Sequence, residues 1–157
     1  MPTPADHLAL ARTAQDGAVL LGLARSPYPF VWQALAANPH TPAAALVELA
    51  GARDSPHNDN GLLRLLAERP DAGPAVLRAA LAAVAAKLAD GERPYAAVLP
   101  LAGRPEPDPA EVAALGTLPG ASARLRRGLA RRLDARPPAY RLPAGEHGRT
   151  EGNTAEG

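Results

Sequence analysis

The stretch Leu35–Ala50, LAANPHTPAAALVELA, places prolines at 39 and 42 in the middle of what would otherwise be one apolar helix. A continuous helix does not tolerate either proline in its interior, because each removes a backbone donor and clashes with the preceding turn. Val31, Ala34 and Leu35 have the spacing of one helix face. Asn38-Pro39 closes that helix, since the residue before a proline is pushed out of the α region. Thr41-Pro42 then opens the next helix, with Thr41 as N-cap and Pro42 at the first helical position. Ala45, Leu46 and Leu49 supply the second helix with a buried stripe. The reading is two short helices with a break between them.

The break recurs. Leu-Ala-x-x-Pro occurs at Leu23–Pro27, Leu35–Pro39, Leu66–Pro70 and Leu101–Pro105, with a degenerate copy at Leu133-Asp134…Pro137. Seven residues after three of these prolines stands an aliphatic residue: Leu46, Leu77 and Val112. Self-similarity at such intervals is the signature of a helical repeat protein.

Over Leu23–Ala50 the chain resembles the leucine-rich repeat variant family. The resemblance is carried by Pro29, Val31, Leu35-Ala36, Asn38-Pro39, Thr41-Pro42, Leu46 and Leu49-Ala50. Trp32 stands where that family favours Arg, and Arg25-Ser26 where it often has Asp. The match extends over about one and a half repeats and is looser around Pro70 and Pro105. The resemblance implies a right-handed superhelix of paired short helices, alternating α and 3₁₀. Members with an iron–sulfur segment hold it through cysteines, which this chain lacks. A HEAT- or armadillo-like helical solenoid is the related reading.

Composition agrees with an all-α chain. Hydrophobic residues make up 46% but aromatics only 3%, so the apolar content is mainly Ala, Leu and Val. Ala and Leu favour helix, and runs of strand character are missing. The 18 prolines and 14 glycines favour many short helices over a few long ones. The absence of cysteine removes disulfides, thiolate catalysis and Cys-ligated metals. The net charge of +1 supplies no global field toward nucleic acid or an anionic membrane. No uninterrupted apolar run reaches the ~20 residues of a membrane span. The first residues lack the pattern of a signal peptide, so the cytoplasm is the default location.

Along the chain, helices are expected over Asp6–Gln15, with Leu8 and Leu10 apolar, over Ala18–Ala24, and in the two halves of the opening stretch. Gly51–Gly61, GARDSPHNDNG, reads as a polar loop of turn residues. Helices follow over Leu62–Glu68, Gly73–Ala89, Tyr95–Leu101, Pro109–Leu118 and from about Ala121. Val76, Leu77, Leu81, Val84 and Leu88 define the apolar side of the longest. Residues 1–136 form one helical repeat domain. Residues 137–157 are rich in Pro, Gly and polar side chains, and read as a disordered tail.

Few residues offer chemistry. His57-Asn58-Asp59-Asn60 has ligand types but lacks the three or four converging donors that a metal needs, and reads as turn formers. The serines lack a nucleophile-elbow setting, and no phosphate-binding glycine motif is present. No acid–base pair supports an enzyme on a HEAT-like scaffold. Two features suit binding. Tyr28, Phe30 and Trp32 cluster three aromatics in five residues, with Tyr28 and Trp32 as candidate anchors. RLRRGLARRLDAR (Arg124–Arg136) holds six arginines and one aspartate, and places Arg124, Arg127 and Arg131 on one helix face. The chain is therefore expected to be a short right-handed α-solenoid that acts as a non-catalytic protein-binding scaffold, without cofactor, metal or membrane. Nucleic-acid or phosphate binding through the arginine helix is the alternative.

Overall fold

The computed structural model describes residues 3–136, and the expected C-terminal tail lies outside them. The described residues are all-helical: α1 (Pro4–Thr13), α2 (Gly17–Leu23), α3 (Pro29–Ala37), α4 (Ala43–Ala50), α5 (Pro56–Glu68), α6 (Pro74–Ala89), α7 (Tyr95–Gly103), α8 (Pro109–Ala114), a 3₁₀ turn (Leu115–Thr117) and α9 (Ala123–Asp134). The family resemblance implied 3₁₀ segments alternating with α-helices; among the described residues there is this single 3₁₀ turn.

Local chemistry fixes most helix starts. Thr3 and Asp6 form a reciprocal capping box at α1. The Thr3 backbone N–H, then its hydroxyl, hold the Asp6 carboxyl below its ordinary range, with a small further pull from His7. Asp16, Ser55, Asp108 and Ser122 cap α2, α5, α8 and α9 through side-chain oxygens. Pro4, Pro29, Pro56, Pro74 and Pro109 occupy first helical positions, where the missing N–H costs nothing.

Pro39, Pro42, Pro70 and Pro105 all lie between helices. Thr41 differs from expectation. Pro42 is the N-cap of α4, and Thr41 is buried with its hydroxyl donating to the Leu35 carbonyl, 2.7 Å away. It thus ties the turn back to the helix just ended instead of capping the one to come. The expected loop at 51–61 is also corrected. α5 begins at Pro56, so His57–Asn60 form its first turn. Ser55 accepts from the Asn58 N–H, and Asp59 faces inward. Leu10, expected on the apolar side of α1, is 44% exposed, and Ala11 is that helix's buried residue.

The odd-numbered helices pack in series, α1 on α3, α3 on α5, α5 on α7 and α7 on α9. The even-numbered helices α2, α4 and α6 pack in a second series, and each touches the odd helices before and after it. α8 rests on α7 and α9. One continuous core runs through both series, from Ala11 to Leu129, and is built of Ala, Leu and Val, with Trp32 as the only aromatic buried in it among the described residues. All five residues expected on the apolar side of α6 are buried. Gly128, in the middle of α9, sits where a Cβ would lie 3.0 Å from a Leu99 methyl, which explains a glycine inside this helix by the close approach of α9 to α7.

Candidate functional site

The residue immediately before the repeat proline has a shared job in four of the five copies. Asn38 donates through Nδ2 to the Ala11 and Ala14 carbonyls, 3.0 Å each, at the end of α1. Arg69 Nη1 donates to the Ala36 and Asn38 carbonyls at the end of α3, 2.7 and 3.0 Å away. Arg104 Nη1 donates to the Ala67 and Arg69 carbonyls at the end of α5, 3.3 and 2.7 Å away. Arg136 Nε donates to the Ala102 carbonyl at the end of α7, 3.1 Å away. Each side chain satisfies carbonyls that a helix end leaves without intrahelical partners, and three of the four bring a cation to the negative end of the helix dipole. The result is a ladder that stitches each odd helix to the next. The copy at Pro27 stands outside it: that turn follows α2, and Ser26 instead accepts the Trp32 indole N–H on its carbonyl at 2.6 Å.

The ladder leaves an apolar groove of about 440 Å³ between the ends of α3 and α5. Ala36, Ala37 and Pro39 form one wall, Leu65 and Pro70 the other, and Glu68, Arg69 and Asp71 complete the lining. Arg69 holds the two walls in place, bonded to α3 through its Nη1 and to Asp71 through Nε and Nη2, 3.0 and 2.8 Å away. A groove of this size with mainly apolar walls suits one or two inserted side chains.

The expected binding residues fall in two separate places. Trp32 is 9% exposed, its ring in the core and its N–H bonded, so it offers no surface. Tyr28 is half-buried at the start of α3 and stacks on Phe30, with ring centroids 5.4 Å apart. Phe30 is the exposed aromatic of the cluster, at 44%. Its signal was present in the sequence: it lies off the face that Val31 and Leu35 define. Arg124, Arg127 and Arg131 are exposed on α9. Between α3 and α9 stand α5 and α7, so the structure does not unite the aromatic and arginine sets.

The His57–Asn60 cluster does not converge. His57 is exposed, and Asp59 is buried in a pair with Lys87 Nζ at 3.0 Å, while its other oxygen accepts the Asp54 N–H. Lys87 also meets Glu92, 3.1 Å away. Lys87 is the only lysine in the chain, and it occupies a buried site where a compact ammonium reaches two carboxylates. Among the described residues no group of three or more His, Asp or Glu side chains is placed to hold a metal ion. A second cleft, about 310 Å³, opens between α6 and α8, with Arg78 on one side and Asp108 and Glu111 on the other. Among the described residues no helix is long and apolar enough to cross a membrane.

No family model, curated protein or solved structure matches this chain.

Proposed function

We propose that the chain is a non-catalytic protein-binding scaffold, built as a short right-handed α-solenoid of the kind that the leucine-rich repeat variant resemblance suggests. The observation that carries this reading is the ladder of Asn38, Arg69, Arg104 and Arg136, because the same contact is made at each junction between successive odd helices. In a repeat architecture each unit contacts its neighbours and leaves an extended surface for partners. The groove between α3 and α5 is the seat for an apolar side chain of the partner. The reading involves no catalytic step and no cofactor.

Ala37→Glu tests it. Ala37 is exposed, so the fold should be untouched, but the new carboxylate enters the groove. Partners captured by the parent protein at moderate and high salt should be lost with the variant, with affinity lowered about tenfold or more for a charge left unpaired at an apolar anchor site. Capture that survives high salt also separates this reading from phosphate-driven binding, which falls steeply with salt. Unchanged capture by the variant would remove the groove from the proposal.

A further inference from the structure

The near-zero net charge conceals a strong segregation. The chain carries 17 basic and 16 acidic side chains, a net +1. Helix α9 carries five arginines against Asp134, a net +4, which leaves −3 on all other residues. Elsewhere Arg25, Arg64, Arg69 and Arg104 each pair with an acidic side chain. On α9, Arg126 donates to the Ala121 carbonyl and Arg132 to the Leu99 carbonyl, 3.2 and 3.1 Å away. Arg124, Arg127 and Arg131 are exposed and have no hydrogen bond or ion pair to any described residue. Leu125, Gly128 and Leu129 face the core, so these three guanidinium groups lie on the outward side of the helix.

Their spacing is selective. Steps of three and four residues put them in a row about 10 Å long on one face. A partner helix with carboxylates at i, i+3 and i+7 has the same rise, and each guanidinium fork matches a carboxylate in a bidentate pair. A long polyanion fits less well. It would run beyond the row, and α8, which packs on α9, has exposed Asp108 as its cap and exposed Glu111 in its first turn. α9 also has no aromatic side chain on which bases could stack. We infer that the outward face of α9 is the docking surface for an acidic helical segment of a protein partner. This rests on the scaffold reading and adds to it the chemistry of the partner.

The test uses a fluorescent 14-residue Ala-rich helical peptide with Glu at i, i+3 and i+7. Controls are the same peptide with Gln at those positions, one with the three Glu at i, i+2 and i+5, and a 20-base-pair duplex. Binding is measured by anisotropy at low and moderate salt, for the full chain and for the Arg124→Gln, Arg127→Gln, Arg131→Gln variant, with helicity checked by circular dichroism. The in-register peptide should bind the parent more tightly than both control peptides. The triple variant, equally helical, should lose about tenfold or more in affinity for it, the product of three exposed charge pairs each worth a few-fold. Equal binding of the in-register and misspaced peptides, or equal binding by the variant, overturns the inference. So does tighter duplex binding that the variant abolishes, which would assign the face to nucleic acid. Low-salt self-association of the parent that the variant abolishes overturns it in favour of a second copy. If the peptide fails while capture remains sensitive to Ala37→Glu, this inference falls and the scaffold reading stands.

Discussion

Arg69 is a charged side chain at 6% exposure, a place where an unpaired guanidinium would be strongly destabilising. It is stable there because four hydrogen bonds surround it: two to helix-end carbonyls from α3 and its turn, and two to the oxygens of Asp71, whose own side chain reaches water. Replacing it with Met keeps much of the length and removes every donor. The Ala36 and Asn38 carbonyls then lose the guanidinium donor, Asn38 keeping only the Thr41 N–H, and Asp71 loses its partner. Hydrogen bonds to charged groups contribute ~1.5–3 kcal/mol each, and the two to the exposed Asp71 carboxylate count for little, so loss of the two buried ones should make Arg69→Met cost about 3–6 kcal/mol in denaturant unfolding. Arg64→Met breaks only an exposed i,i+4 pair with Glu68 and should cost about 0.5 kcal/mol or less. Equal midpoints for the two variants would remove Arg69 from any role at the junction. The motif alone gives no sign of this clamp. Leu-Ala and Pro were legible because they act locally, through helix packing and backbone restriction. The residue between them acts on carbonyls 24 to 37 positions earlier, and no local periodicity reports such a contact.

Among the elements, helix ends depend on contacts distant in sequence. Ser55-Pro56-His57-Asn58-Asp59-Asn60 consists of turn formers, yet these are also the residues favoured at an N-cap and first turn. What selects helix is tertiary: Asp59 is held by Lys87, 28 positions later in α6. The same kind of long-range constraint acts at Gly120, in the turn before α9. Its N–H donates to the Leu88 carbonyl at 2.7 Å, and its carbonyl accepts from the Tyr95 hydroxyl, also at 2.7 Å. A Cβ there would overlap the Glu92 carbonyl oxygen and crowd the Leu88 backbone. Backbone cannot swing aside as a side-chain tip does, so Gly120→Ala should destabilise by about 2–4 kcal/mol, at or somewhat above the usual cost of overpacking. Gly22 provides the opposite case. It lies inside α2, exposed, and a methyl added there would meet nothing within 4 Å. Gly22→Ala should stabilise by up to ~1 kcal/mol through helix propensity alone. Chemical denaturation of the two single variants checks both signs, and a stabilised Gly120→Ala would contradict the close packing of this turn on α6.

For the whole molecule, the helical class and most helix positions follow from the Ala/Leu composition and the proline breaks. The two packed series do not, because one motif copy misleads. Leu23–Pro27 looks like the others but ends an even helix, so motif spacing alone assigns the wrong partner to that turn. Packing in series also has an energetic consequence. Each odd helix touches its neighbours in the row, and each junction has its own clamp, so the free energy of opening should vary along the stack instead of taking one value. α5 and α7 are covered on both sides, by α3 and α9, and both also pack on α6, which carries the Lys87 end of the buried pair with Asp59. Among the described residues α1 has a neighbour in its row on one side only, and it exposes Leu10. Native-state hydrogen exchange should therefore find α1 and α2 opening first and α5–α7 last. Asn38→Ala removes the clamp between α1 and α3 at the less covered end. Two neutral donor bonds of about 1 kcal/mol each should be lost, which raises exchange in α1 about tenfold or more while leaving α5–α7 near their parent rates. Uniform acceleration over all helices would show a single cooperative unit and would argue against nearest-neighbour coupling along the row.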